Sequence, residues 1–208
     1  MNAGRLALAA VVGALVLTAA ATSAPVPAAP LFRVRPDLRM CPSPTCGGFW
    51  VARANRATTV CAGGAARAWC YVAEITLPKP AASRGELLAR GRIVHLGAGE
   101  TGPADRFVAT ATWLAATHAS ATGSVYLVSD NGIRCVRAPC FTLRATTVNT
   151  PRATTASALD LAGVGATALD QRAQAALFKG GLLVAGTIRR DADGGRTIVA
   201  SQFFLAAG

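Results

Sequence analysis

Six cysteines follow a segment built for export, and that combination constrains this chain more than any other feature. Met1 to Arg5 is a short positive start, and Leu6 to Ala21 is an apolar run of Leu, Ala and Val. The small-residue stretch Ala20-Ala21-Thr22-Ser23-Ala24 ends it. That order is the signature of a secretory signal peptide, here residues 1–24. It sends the chain to an oxidising compartment, periplasmic or extracellular, where thiols pair. Cys41, Cys46, Cys61, Cys70, Cys135 and Cys140 are therefore read as disulfide cysteines. The apolar run is at the short edge of the ~20 residues that a membrane span needs, so no stable span is expected after cleavage.

The formal net charge is +11, and the cations are nearly all arginine, with Lys79 and Lys179 the only lysines. A basic balance suits a polyanionic partner. The arginines are scattered, however, and the only tight group is Arg33, Arg35 and Arg39 on a strand edge. No segment interleaves aromatic residues with a basic groove, so nucleic acid is not expected as a partner. Trp50, Trp69 and Trp113, with Phe49, Tyr71, Phe203 and Phe204, are read as core.

After a Pro/Ala linker at 25–30, residues 31–208 read as a single β-rich domain. Apolar and charged residues alternate in Leu31-Phe32-Arg33-Val34-Arg35, which predicts an exposed strand ending at Pro36. Cys41-Pro-Ser-Pro-Thr-Cys46-Gly-Gly is too rich in proline and glycine for helix or central strand. Further strands are predicted over 49–54, 60–61, 69–77, 87–96, 106–115, 124–129, 141–148, 182–190 and 197–205. Asp130-Asn131-Gly132 and Asp191-Ala-Asp-Gly-Gly195 supply turns. One helix is predicted at about 167–179, with a capping box from Thr167 to Asp170, an apolar face of Leu169, Ala173, Ala176 and Leu177, and a stop at Gly180. The fold class is mainly β (α+β): an antiparallel sheet or barrel-like domain with one helix, stapled by disulfides.

The chain also echoes itself. Leu87-Leu88-Ala89-Arg90-Gly91-Arg92-Ile93 resembles Leu182-Leu183-Val184-Ala185-Gly186-Thr187-Ile188. Val108 to Leu114 resembles Val199 to Leu205, each ending in aromatic-Leu. Two equivalent hairpins related by an approximate twofold are expected, with Gly91 and Gly186 in matching positions, Trp113 and Phe204 both facing the core, and the helix covering the second unit.

Six cysteines allow 15 connectivities. Turn residues inside each short loop favour the local scheme Cys41–Cys46, Cys61–Cys70 and Cys135–Cys140. Zinc held by the two C-x4-C pairs is the rival, although structural zinc sites usually use closer spacing and reduced thiols. The segments 41–51, 70–73, 131–140, 182–186 and 200–205 together resemble an uncharacterised domain-of-unknown-function family of exported, cysteine-containing bacterial proteins, frequent in myxobacteria and relatives. That resemblance implies export, paired cysteines and a mostly β domain. It carries no known activity, so no functional residue is transferred from it.

No catalytic motif is present, and no cofactor or metal site is expected. His95 and His118 lie outside any zinc pattern. Ser129-Asp130-Asn131 lacks the Ser-x-x-Lys partner of penicillin-binding enzymes. The leading reading is a binding or structural role toward an envelope or extracellular macromolecule. One alternative is a protease inhibitor that presents Arg134, Arg137 and Pro139 on a clamped loop. Another is a secreted hydrolase assembled by the fold, which needs a cleft holding His95 or His118 beside a carboxylate.

Overall fold

The computed structural model describes residues 29–40, 46–78, 85–99 and 102–207. The signal peptide and the linker up to residue 28 lie outside the described residues. Fourteen strands and one α-helix follow in order: β1 Leu31–Pro36, β2 Phe49–Arg53, β3 Thr59–Val60, β4 Ala66–Arg67, β5 Cys70–Val72, β6 Glu74–Thr76, β7 Leu87–Gly99, β8 Gly102–Ala115, β9 Ser124–Asp130, β10 Leu143–Thr147, β11 Ala153–Ala156, β12 Ala158–Asp160, α1 Asp170–Phe178, β13 Leu182–Arg190 and β14 Arg196–Ala206. Twelve strands make one sheet whose path runs β11-β10-β9-β13-β14-β8-β7-β1-β2-β5, while β3 and β4 pair separately. The ten-strand path ends at β11 and β5, and two further pairings lie off it, β6 with β8 and β12 with β14.

This sheet is two copies of one unit. In the first, β1 pairs antiparallel with β2 and β7, β2 with β5, and β7 with β8; β6 lies parallel to β8. In the second, β9 pairs with β10 and β13, β10 with β11, and β13 with β14; β12 lies parallel to β14. Treating β5/β6 and β11/β12 as one bent strand each, both units have five strands in the order 1-2-3-5-4-1 with 3 and 5 parallel. In the second unit the helix sits between 3 and 4. That connectivity is the OB-fold, a partly open Greek-key barrel. The bends match as well: Ala73 N donates to Asp105 O at 2.9 Å, and Ser157 N to Arg196 O at 2.8 Å.

The expected hairpin equivalence holds residue by residue. In β7–β8 the register shifts between Arg90 and Gly91, which faces Ala109; in β13–β14 it shifts between Ala185 and Gly186, which faces Ala200. Both glycines are required by close approach. A Cβ at Gly91 would lie 2.3 Å from Val108 O, and one at Gly186 would lie 2.1 Å from Val199 O. Where β14 meets β8, Leu205 opposes Leu114, flanked by Phe204 opposite Ala115 and Ala206 opposite Trp113. Each pair is the twofold image of the other, so the axis passes through the leucine pair.

The symmetry reaches well beyond the hairpins. The two C-x4-C loops occupy the same place, between strands 1 and 2 of their units. Asn55 and Asn149 follow strand 2 in each unit, at φ 58 and 59. Asn149 Oδ1 accepts from Leu31 N at 2.9 Å, and its Nδ2 donates to Leu31 O and Ala54 O. Reciprocally, Asn55 Oδ1 accepts from Val125 N at 2.8 Å, and its Nδ2 donates to Val125 O and Val148 O. Each unit thus lends one amide side chain to the backbone of the other.

The core follows the same plan. Phe32, Val34, Val51, Val72, Ala89 and Phe107 fill the first unit. Val128, Ala145, Val184, Ile198, Ala200 and Phe203 fill the second, where the buried Ala173 of α1 lets the helix sit close. Leu31, Leu88, Leu183, Val125 and Phe204 form a shared centre, with half-buried Trp113 against it.

Three local expectations are corrected. The 69–77 run is not one straight strand; it bends at Ala73 and changes partner from β2 to β8. The capping box does not form, because residues 167–169 wind as a 3-10 turn and Leu169 becomes the N-cap, without a side-chain cap bond. The helix stop is as read: Gly181 N donates to Ala176 O across Gly180 and Gly181, both at positive φ. Strands β11 and β12 were not anticipated in their Ala/Thr-rich stretch.

Candidate functional site

Disulfides close Cys61–Cys70, with Cα atoms 5.5 Å apart, and Cys135–Cys140, with Cα atoms 5.6 Å apart. Cys46 is disulfide-bonded and buried; Cys41, and with it the third predicted pair, lies outside the described residues. The sulfurs of Cys46, Cys135 and Cys140 are engaged in disulfides and are not zinc thiolates. Among the described residues no cluster of three or more His, Cys, Asp or Glu could hold a metal ion. No helix among them is long and apolar enough to cross a membrane.

The second clamped loop, residues 131–142, joins β9 to β10. Its base is organised by two side chains. Asp130 Oδ1 accepts from Gly132 N at 2.6 Å, and Asn131 Oδ1 accepts from Ile133 N at 2.9 Å while its Nδ2 donates to Phe141 O. Arg134 does not point freely outward: its Nη2 lies 3.0 Å from Asp130 Oδ2. That guanidinium and the Gly132 amide hold the Asp130 carboxyl below its usual range. Val136 is fully exposed, Arg137 is exposed between the two cysteines, and Pro139 is half-buried. Among the described residues no carboxylate lies within ion-pair distance of Arg137.

The first unit presents a different surface. Inner positions on β2 and β5 are taken by Val51 and Val72, so alternation turns Trp50 and Tyr71 outward. Arg35, Trp50 and Tyr71 lie side by side across β1, β2 and β5. The Trp50 and Tyr71 rings meet edge to face at 5.5 Å. Arg35 stacks over Trp69 at 3.7 Å and Arg39 over Trp50 at 5.3 Å. Arg39 is anchored in turn on the buried Asp37, through Nη2 to Oδ2 at 2.8 Å. Its hydrogen bonds hold the Asp37 carboxyl below its usual range and raise Arg39. Trp50, Trp69 and Tyr71 are therefore not core, as the sequence reading had them, but half-buried members of an outer arginine–aromatic face. The expectation that Phe203 and Phe204 are core holds, and Phe49 packs against the inner cluster.

The matching face of the second unit carries Ser129, Arg144, Thr155 and Ala153 where the first has Arg35, Trp50, Tyr71 and Trp69. Arg196 reaches Thr154 Oγ1 at 2.9 Å and Thr155 Oγ1 at 3.1 Å, and lies over Phe141 at 4.9 Å.

His95 does meet a carboxylate, with Nδ1 2.9 Å from Asp105 Oδ1. The two are cross-strand neighbours on the β7–β8 hairpin, and the imidazole is half-exposed. His118 is exposed on the loop after β8.

Comparison with curated proteins and with solved structures returned no match. A family model does match, over residues 30–208, and by that coverage of the β-rich region the chain belongs to the family described as Domain of unknown function (DUF6748).

Proposed function

We propose that this is an exported bacterial binding module whose first unit recognises an anionic macromolecule of the envelope or the extracellular space. The observation that carries the reading is the outer face built from Arg35, Arg39, Trp50, Trp69 and Tyr71. Trp, Tyr and Arg are the residues that dominate binding energetics. Here the arginines are already stacked on rings, so little side-chain freedom remains to be lost on association. The Asp37–Arg39 pair holds the end of the turn that leaves β1 beside this face. The net positive charge supports an anionic partner.

Co-sedimentation of the oxidised protein with isolated envelope material tests the reading. Trp50→Ala and Trp69→Ala should weaken sedimentation about tenfold or more while thermal unfolding stays close to wild type. Sedimentation unchanged in both variants would remove this face as the binding surface.

One observation favours a second reading, protease inhibition: Val136 and Arg137 project from a loop closed by Cys135–Cys140. Because Arg134 is engaged with Asp130, Arg137 is the residue available to a trypsin-like pocket. Arg137→Ala should abolish inhibition. An oxidised protein that is simply cut after Arg137 is a substrate, and the reading fails.

A further inference from the structure

The mouth of the first unit holds a cation without a counter-charge. Arg53 ends β2 on the inner face: it alternates with the buried Val51 and stands opposite the buried Phe32. Its side chain enters a cavity of about 370 Å³, walled by Pro30, Phe32 and Ile93 and bordered by Val60 and Cys61. Arg53 Nε is buried and finds no acceptor among the described residues. No carboxylate among them lies within ion-pair distance of its guanidinium. Arg92 also borders the cavity, but its neighbour Ile93 takes the inner position opposite Phe107, so alternation turns the Arg92 side chain outward. A guanidinium nitrogen buried against apolar groups without an acceptor is costly, and native proteins seldom keep one without a reason.

The duplicated scaffold provides an internal control. In the second unit Thr147 holds the position of Arg53, and Tyr126 that of Phe32. The same backbone therefore folds without an arginine there. The border of the cavity is also peculiar to the first unit. Residues 54–69 join β2 to β5, where the second unit joins β10 to β11 with 148–152 alone. The longer connection carries the β3–β4 hairpin and is closed by Cys61–Cys70. It is fastened beside the cation, because the backbone N of Arg53 donates to Thr59 Oγ1 at 2.8 Å. Thr59 is buried, while Val60 next to it is exposed at the cavity edge. The unpaired cation and the clamped border occur in one copy, at one place, and neither is needed to build the fold.

We infer that this mouth binds the carboxylate of an apolar acid, carried by a small free acid or by the C-terminus of a polypeptide. Arg53 is the recognising cation, and Phe32, Val60 and Ile93 meet the apolar body. A guanidinium matches a carboxylate through two parallel, charge-assisted N–H bonds. One of these gives Arg53 Nε the acceptor it lacks. A single guanidinium balances a single charge, so a monoanion fits, whereas a phosphate dianion leaves a charge uncompensated among apolar groups. Ligand pockets run from about 300 to 1,000 Å³, and this one lies at the lower end, which suits a compact body. The inference goes beyond the binding-module reading. The mouth and the outer arginine–aromatic face lie on opposite sides of β2, and neither needs the other.

Titration calorimetry of the full oxidised protein tests this with isovalerate, benzoate and acetyl-Gly-Leu, whose C-terminal carboxylate is free. Saturable one-to-one binding of at least one is expected. Arg53→Gln should weaken it about tenfold or more, since a charge-assisted bond is lost. Val60→Asp sets a like charge at the mouth from an exposed position and should also weaken it; it keeps the test valid if Arg53→Gln does not fold. Arg144→Gln, on the second unit's outer face, should bind as wild type. Preference for acetyl-Gly-Leu identifies a polypeptide terminus as the source; equal or better binding of isovalerate or benzoate identifies a free acid. A second readout needs no ligand. Arg53→Leu removes an uncompensated cation from an apolar setting, so it should raise the midpoint of thermal unfolding without acid. It should also abolish the further rise that acid gives the wild type. The inference is overturned by no saturable binding of any probe, by wild-type binding in Arg53→Gln, or by equal weakening in Arg144→Gln. Binding of isovaleramide or inorganic phosphate as tight as that of the acids, or a midpoint that fails to rise in Arg53→Leu, overturns it as well.

Discussion

The reciprocal asparagines make the duplication measurable. Asn149→Ala removes three hydrogen bonds, two to Leu31 and one to Ala54. At about 1 kcal/mol each, that is about 3 kcal/mol. Asn149 also sits at φ 59, where alanine costs roughly 1 kcal/mol more. The expected loss is about 3–4 kcal/mol, reduced toward the lower figure because the site is only part-buried and water can replace some bonds. Asn55→Ala removes the symmetry-related three bonds at φ 58 and should cost the same within about 1 kcal/mol. Asn149→Asp is the discriminating control. It keeps the acceptor for Leu31 N and tolerates the left-handed backbone, but loses both donor bonds, so about 2 kcal/mol is expected. The assay is equilibrium guanidinium unfolding of the oxidised protein, followed by tryptophan fluorescence. Because the sheet runs unbroken through the β8–β14 seam, one transition is expected. A cost below about 1 kcal/mol for either alanine variant, or a difference above about 2 kcal/mol between them, would refute the claim that the two units clamp each other symmetrically.

Four further outcomes follow. Gly91→Ala and Gly186→Ala should each destabilise severely or block folding, since the new methyl meets a backbone carbonyl at 2.3 or 2.1 Å; Gly64→Ala, with open space but φ +83, should cost only about 1 kcal/mol in thermal unfolding. Replacing Cys135 and Cys140 together by serine should cost at most about 2 kcal/mol, because the closed loop is short, and chemical denaturation will show whether the fold depends on it more heavily. The Asp130 carboxyl is held below its usual 3.8, so its contribution is complete above about pH 4 and is lost as pH falls through the lowered value; Asp130→Asn should flatten the acid limb of the stability–pH curve, and an unchanged limb would dismiss the Arg134 contact. Mass spectrometry of the exported protein should find an N-terminus between Ala21 and Ala29, and an intact Met1 outside the cell would end the export reading.

Hairpin glycines, clamped loops and the helix were legible because each rests on a local rule. Gly91 and Gly186 lie inside strand patterns, where glycine signals close approach, and their neighbours repeat in type. What escaped notice needed partners distant in the chain. The loops at Cys41–Cys46 and Cys135–Cys140 share one spacing and flank equivalent strands, yet the intervening residues differ, so the echo looked confined to two hairpins. Asn149 was visible only as a turn residue; its partners Leu31 and Ala54 lie at the other end of the sequence. β11 and β12 are built from Ala, Thr and Ser, whose burial difference is too small for alternation to show. The outward aromatics were misread because strand composition does not say which face is buried. Only the pairing of Val51 and Val72 with the inner cluster decides that Trp50 and Tyr71 face out.

Duplication also separates what the fold needs from what it has been given. Positions that match in both units are structural by that fact: the bulge glycines, the clamping asparagines, the paired leucines at the axis and the inner valines on strand 1. Positions that differ while their backbones coincide are free of that duty. Arg35, Trp50, Trp69 and Tyr71 face Ser129, Arg144, Ala153 and Thr155 across the twofold. A ring such as Trp50, half-exposed on a sheet face, contributes less burial than a core phenylalanine, and the second unit stands without it. The same reasoning excludes the cross-strand His95–Asp105 pair as a fold requirement, because Asp105 corresponds to Arg196. The asymmetric arginine and aromatic positions Arg39, Arg35, Trp50, Trp69 and Tyr71 lie together on one outer face of the first unit. Their continuity is the reason to look for the ligand there, and not at the symmetric core.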